Sequence, residues 1–500
     1  MAAQATQSAS ASRGSRFLPQ MVPSAACLRC DVCCRFPDPD SPLRPYFTSW
    51  EIDEAVAGGI DRRWFPSPSG GQVSLVPDEE TEGYHCPAFD ARTNGCRIYE
   101  RRPLDCRLYP LALMWNEQHD EVLLGWDAKC PFMREQIPGE IAEHADRVVS
   151  LLTQESVLDE AARHPRLIGR FQEDVVQLRP LPDVTRALSQ RWGNVPMHRL
   201  TPDDVPRLES ALRRAGLPQP QSSAAYSVPY HYMCNALLSY WWTELDDALF
   251  LFAESPDGWF MPLPPLSDGP IEEPFARAFA IMRQRNGHSA VSRIENVSPE
   301  TVSHLCPLGY RSTPKEGDYL YRADELSRLA GDRYKSQRAL CNRIDRLKGV
   351  AVAPYRQSDR RACRTLLHVW RGQKQREELD SYGRWLLDDA VSSHEIVWSH
   401  AAALEVSGTV VKIDGAVRAY TFGYWLTDQT WCVLLEVADR TVPGLAQYLF
   451  RETCRLAHSR GAEFVNTMDD AGLPGLRRSK QRYRPALRIE SMILREDLPA

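Results

Sequence analysis

Five hundred residues, 43% hydrophobic and 25% charged with a net charge of −6, are enough to bury the cores of several globular domains. The negative balance excludes a surface that is basic throughout, so a polyanion would have to be met by local patches of Lys and Arg. Apolar runs such as 431–437 fall far short of the roughly 20 residues a membrane helix needs, and residues 1–20 hold no continuous apolar leader segment. The expected location is the cytoplasm, with residues 1–22 as a solvated tail. Arg13 and Arg16, placed before the first acid Asp31, are the trait this tail shares with an organelle transit peptide.

A reducing compartment decides how the 14 cysteines are read, because clustered thiols there serve metals or redox chemistry rather than disulfides. Eight form the series Cys27-x2-Cys30-x2-Cys33-Cys34, Cys86-x9-Cys96-x9-Cys106, and Cys130. Two intervening residues let two thiolates reach one ion from a tight turn, and soft thiolates select zinc or an iron–sulfur cluster. Eight thiolates exceed the four that one zinc ion or one 4Fe–4S cluster requires. Either two sites exist, or some cysteines serve structure or redox exchange. Adjacent Cys33 and Cys34 cannot easily aim at one ion, so one is expected to differ in role. His85 reads as a surface histidine. Cys234, Cys306, Cys341, Cys363, Cys432 and Cys454 lack ligand spacing and read as small core hydrophobes.

Residues 138–164 predict a helix, with Ile141, Val148, Leu151 and Leu152 on one face. The prolines of 165–182 mark a connector. A mixed α/β pattern begins near Val195. Asp257-Gly258 between apolar runs predicts a hairpin over 247–263, and Asp414-Gly415 predicts another over 409–422. Between them, 318–348 carries a helix that aligns Lys335, Arg338, Asn342 and Arg346 on one face. A strand at 431–437 precedes a helix at 444–460 with Leu445, Leu449, Thr453, Leu456 and Ala457 as its stripe. Gly461 fits a C-cap, and 463–466 begins another strand. The loop from Asn466 to Pro485 holds five basic residues and no acid after Asp470. Meander, crossover helix and strand follow the order of the GNAT acyltransferase core. The expected fold class is α+β: a small cysteine-rich metal module followed by two tandem GNAT-like domains. The boundaries are 23–135 for the module, 136–185 for a helix and Pro-rich connector, 186–323 for the first GNAT-like domain and 324–500 for the second.

Two resemblances add to this reading. Residues 23–135, through the Cys27–Cys34 spacing, Cys86-Pro87, Cys96-Arg97-Ile98-Tyr99 and the run from Arg102 to Pro110, resemble the CxxCxxCC cysteine-cluster family, to which zinc or iron chelation is attributed. This implies metal binding by all eight cysteines. A relative of the module occurs in flagellin lysine methylases, where an iron–sulfur cluster is implied. Residues 195–495 resemble the C-terminal domain of phosphatidylglycerol lysyltransferases. The match is carried by Asp318-Tyr319-x-Tyr321, by Tyr334-Lys335 with Arg338 and Asn342-Arg343, and by the 466–485 segment.

That second resemblance implies paired GNAT-type domains that move an aminoacyl group from a charged tRNA. Lys335, Arg338, Asn342, Arg343, Asn466, Arg477 and Lys480 are then the expected substrate contacts. Asp470 and Tyr483 are the expected groups for proton transfer or orientation. The chain lacks the membrane-embedded half of the lipid-modifying members, so the acceptor stays open among a peptide, an amino-containing small molecule and a lipid. It also lacks a Gly-rich acetyl-CoA loop, since 439–448 offers only Gly444. The expected function is aminoacyl transfer from aminoacyl-tRNA by a chain fused to an iron–sulfur or zinc module. The alternatives are an iron–sulfur oxidoreductase or methylase-like enzyme, and a non-catalytic metal carrier.

Overall fold

The computed structural model describes residues 20–497 apart from 28, 29, 31, 40, 42, 69, 79–82, 118–120, 136–137, 170, 235–237, 288 and 377–380. Most of the expected N-terminal tail therefore lies outside the described residues. The chain forms two compact units, one of Met1–Pro196, Gly269–Ser289 and Glu496–Ala500, the other of Met197–Asp268 and Ala290–Arg495.

The first unit holds the eight clustered cysteines. Its sheet is antiparallel in the order Val175–Pro180, Val122–Asp127, Leu111–Trp115. The outer strand lies within 165–182, which the prolines mark as a connector; Val175 is its one buried residue, so alternation gives little sign of it. The helix expected over 138–164 is two helices, Pro138–Leu152 and Glu155–Arg163. At the break Thr153 Oγ1 donates to the carbonyls of Val149 and Ser150, an alternative to continuing the helix ladder. Val122, Leu124, Val148, Leu188 and Ala280 meet in one core. Ala280 belongs to the helix Glu272–Asn286, which the chain sends into this unit from the middle of the other.

The second unit contains a four-stranded antiparallel sheet in the order His198–Arg199, Ser239–Leu245, Ala248–Ser255, Gly258–Phe260. The hairpin expected at Asp257-Gly258 is present, with Ser255 opposite Gly258. A seven-stranded sheet runs Val350–Pro354, Ser407–Ile413, Ala416–Trp425, Thr430–Ala438, Phe464–Asn466, Tyr319–Arg322, Leu487–Arg488. Asp414 and Gly415 adopt φ of 48° and 78°, the left-handed pair that a two-residue hairpin turn requires. After Thr430–Ala438 the helix Leu445–Ser459 crosses over, and Phe464–Asn466 returns parallel to it. This meander and crossover is the GNAT arrangement. Gly423 sits where a Cβ would come within 2.4 Å of the Cys432 carbonyl, so only glycine lets these neighbouring strands approach. Cys363, Cys432 and the strand residues Leu249 and Leu251 share one core. Among the described residues no helix is long and apolar enough to cross a membrane.

Candidate functional site

All eight cysteines between 27 and 130 line one cavity of 590 Å³. They reach it from separate pieces of local structure. Cys27 ends the short helix Ser24–Cys27, and its carbonyl accepts the Cys30 amide at 3.1 Å. Cys33 and Cys34 lie in the turn Val32–Cys34, and the Cys34 carbonyl accepts the Cys86 amide at 2.9 Å. Cys96 lies on a two-residue strand paired with Phe89–Asp90. Cys106 is carried by the helix Leu104–Leu108. Buried Glu51 fixes the start of that helix, accepting Leu104 N at 2.7 Å with one carboxylate oxygen and Thr48 N at 2.9 Å with the other.

Cys33 is the electrostatic hub, coupled to Cys27, Cys34, Cys86, Cys96, Cys106 and Cys130. Burial raises the thiol of Cys27, pushes Cys86 up to about 12 and raises Cys106 well above the ordinary range. Cys33 is raised first by its hydrogen bond with Cys34 and then by burial. Such thiols stay protonated until a cation takes them as thiolates. The structure also holds donors that favour the thiolate form. Amides of Ala88 and Phe89 act on Cys86, that of Ile98 on Cys96, and those of Met133 and Phe132 on Cys130. Arg102 adds a full charge: it lies 3.8 Å from Cys27 Sγ and stacks 3.7 Å above the Tyr99 ring.

Among the described residues no three His, Cys, Asp or Glu side chains already converge as a ligand set. The thiols share a space rather than a point. The donor chemistry nonetheless fits a thiolate-bound zinc or iron–sulfur centre. His85 does not line the cavity; its Nδ1 lies 3.0 Å from the Cys86 carbonyl.

In the second unit the 466–485 segment folds as a loop followed by the helix Pro474–Gln481. Asp470 is fully buried and accepts from Tyr319 Oη at 2.6 Å, Arg477 Nε at 3.1 Å and Gly472 N at 3.1 Å. Burial works to raise this carboxylate, yet the Arg477 and Tyr319 hydrogen bonds hold it below the ordinary range. Asn466 is also fully buried and donates to Asp318 at 3.0 Å. Lys480 directs Nζ at the carbonyls of Thr467, Met468 and Asp469. Its three donors are thereby used on backbone. Tyr483 packs its ring against Phe450 at 4.8 Å and 72°, and burial raises its phenol well above the ordinary range.

On the helix Lys335–Asp345, Lys335, Asn342 and Arg343 are exposed, whereas Arg338 is half-buried and donates to the carbonyls of Leu329 and Gly331. Gly444 has φ 95°, and a Cβ there would meet the Leu340 carbonyl at 2.6 Å. Its role is close backbone packing.

The structure adds a group absent from the expected set. Glu436, on Thr430–Ala438, keeps an exposed side chain, yet surrounding protein desolvates its carboxyl and pushes it up to about 7, while Lys480 pulls the other way. The charge of Glu436 acts on Cys454 and Tyr483, which places the three around one region. A lone acid in the apolar run WCVLLEV is the sequence signal that could have found it.

A cysteine-lined unit, and a second unit whose larger sheet follows the meander-and-crossover order, define the class of protein. The family model "Phosphatidylglycerol lysyltransferase, C-terminal" matches residues 220–493, more than half of the chain, and the chain belongs to that family. Residues 26–136 match the CxxCxxCC model, described as "Putative zinc- or iron-chelating domain". No curated protein matches. Among solved structures, a conserved protein of unknown function from Bacteroides thetaiotaomicron is similar at TM-score 0.52 and 17% identity, covering 60% of this chain and 99% of that one. The L-PGS structure from Bacillus licheniformis gives TM-score 0.40 and 16% identity, over 59% and 92% of the two chains. A tandem GNAT protein from the clavulanic acid biosynthesis pathway gives 0.36 and 13%, over 61% and 99%.

Proposed function

We propose that the chain is a cytoplasmic acyltransferase that moves an aminoacyl group from aminoacyl-tRNA to an amine- or hydroxyl-bearing acceptor. The supporting observation is Glu436: an accessible carboxylate held near neutrality, in the GNAT-like sheet of a chain that belongs to the lysyltransferase family. A base of that strength removes the proton an acceptor ammonium must lose before attack at neutral pH. The new N–C or O–C bond forms at the aminoacyl ester carbon, the ester C–O bond breaks, and the proton passes to the departing tRNA ribose oxygen. Asp470, Asn466 and Lys480 set the loop beside this chemistry rather than perform it.

Exposed Lys335, Arg343, Arg478 and Arg482 supply charge for the tRNA backbone. The eight cysteines would hold zinc or an iron–sulfur cluster, which supplies the cross-links that close a small cysteine-rich fold. The test is transfer itself. Full-length protein is incubated with pools of radiolabelled aminoacyl-tRNA and a peptide, a diamine or phosphatidylglycerol vesicles. Label should leave the tRNA and enter one acceptor. Deacylation no faster than in buffer for every pool overturns the proposal.

A further inference from the structure

We infer that the occupied cysteine centre holds the transferase fold in its working form through the helix Glu272–Asn286. The consequence for turnover rests on the transferase reading; the coupling itself does not. This helix belongs to the cysteine-bearing unit, while the residues on both sides of it belong to the other. The excursion is closed at its neck. Met261 bridges Ile294, Met261 N donates to Arg293 O at 2.9 Å, and Glu295 N donates to Met261 O at 2.8 Å.

At the far end, Tyr46 joins the helix to the cysteines. It lines the cysteine cavity, and its hydroxyl donates to Glu273 Oε2 at 2.8 Å and lies 3.1 Å from His164 Nδ1. Its amide donates to Asp105, the residue before Cys106, at 2.9 Å. Glu273 is only 5% exposed, and among the described residues its second oxygen has no hydrogen-bond partner, so the bond to Tyr46 is what satisfies this carboxylate. Arg277 donates to the Arg163 carbonyl, and Phe275, Ala278, Phe279, Ile281 and Met282 are all buried.

Beside the neck, Asn296 ties the segment that follows the excursion to the strands Tyr310–Lys315 and Ser491–Glu496 of the same unit. Its Nδ2 donates to Pro262 O at 2.9 Å, and its Oδ1 accepts from Lys315 Nζ and Ser491 Oγ, both at 3.1 Å. Lys315 also pairs with Glu295 at 3.2 Å. Three residues on, Asp318 receives Asn466 at 3.0 Å. Contacts within each unit carry the path, the chain itself joins the helix to the neck, and the two-state element at its head is the metal-dependent folding of a thiol-rich unit. Losing the cation releases the wall that contains Tyr46, the helix loses its seat, and the neck loosens. Linkage makes the coupling reciprocal, so a ligand that orders the transfer site should slow metal loss.

The experiment is hydrogen exchange on the full chain, purified anaerobically with its metal and then stripped by a chelator. Removal should open 27–130 and raise exchange at least tenfold in 272–286 and 290–297, with 445–459 unchanged. Tyr46→Phe, measured with metal bound, should raise exchange in 272–286 several-fold at unchanged metal content. Unchanged exchange at 290–297 after stripping, or no effect of Y46F on 272–286, overturns the inference. Coupled exchange without any aminoacyl transfer would remove the enzymatic reading and leave the coupling standing.

Discussion

Tyr319 donates its phenolic hydrogen to Asp470 over 2.6 Å, joining the strand Tyr319–Arg322 to the loop after Asn466. Arg477 completes the pairing and itself bonds Glu316 at 2.7 Å. A carboxylate saturated in this way is an anchor. Asp470→Asn should therefore lower stability by on the order of 2–3 kcal/mol, the scale of a broken buried pair whose partner remains. The carboxylate is held below its ordinary value in the fold. Its contribution is present above the unfolded pKa of about 3.9 and is lost as pH falls through that value and the lower folded one. Urea midpoints of wild type and D470N should converge toward pH 3. Equal stability at pH 7 with activity abolished would instead make Asp470 a chemical participant.

Glu436 has the opposite sign. Its folded pKa is raised to about 7, so the fold prefers the protonated form and loses stability as pH rises from the ordinary carboxylate range through 7. Glu436→Gln should match wild type in melting temperature at about pH 4 and exceed it increasingly toward pH 8. The same change should slow transfer by about 10²–10⁴, the usual span for a general base. In wild type kcat/KM should fall below pH 7 with unit slope. A flat wild-type profile, or a fully active E436Q, removes Glu436 from the mechanism.

Much of the second unit was legible from local pattern. Asp414-Gly415 can satisfy the left-handed turn it occupies, and of the expected stripe Leu445, Leu449, Thr453 and Ala457 are buried, whereas Leu456 faces solvent. The cysteines announced a shared site by number and spacing. Other features depend on partners far along the chain. Charge alone made Arg338 and Lys480 look like phosphate ligands; in the structure both also donate to backbone carbonyls. Tyr483, expected as a proton carrier, sets its ring against Phe450. Nothing within the helix Glu272–Asn286 says that its buried residues belong with residues near 122 and 188.

That helix determines where the chain can be cut. A fragment of 197–495 should expose Phe275, Phe279, Ile281 and Met282, which are almost fully buried in the intact chain. It should aggregate. The same fragment with 269–289 replaced by a Gly/Ser linker should be monodisperse and melt cooperatively. Light scattering distinguishes the two. Equal solubility of both fragments would show that the helix has no need of its berth.

The metal centre makes a sharper demand on individual thiols. Cys33→Ser and Cys106→Ser should each lose most of the metal, because Cys33 is coupled to most of the set and Cys106 is buried among them. Cys306→Ser is the control, since Cys306 does not line the cavity. Elemental analysis with acid-labile sulfide reads the outcome and separates zinc from an iron–sulfur cluster. Stoichiometric metal in C33S, or eight free thiols in anaerobic wild type, defeats the assignment.

Binding of tRNA is the remaining demand, and the structure changes which residues should test it. Arg338 and Lys480 are poor choices, because replacing either strips hydrogen bonds from backbone carbonyls and confuses folding with binding. Lys335 and Arg343 are exposed on one helix, and Arg478 and Arg482 are exposed on or beside Pro474–Gln481. Changing each to Gln should weaken tRNA binding with little change in melting temperature. Each lost phosphate contact should reduce the slope of log K against log salt by about 0.7–0.9. Arg62 and Arg63 provide the control pair, since they lie in exposed contacts with Asp53 and Asp61 on the cysteine-bearing unit. Their replacement should leave the slope alone. A wild-type affinity indifferent to salt, or a control pair as damaging as the four, would rule out the tRNA donor and leave a small-molecule acyl donor in its place.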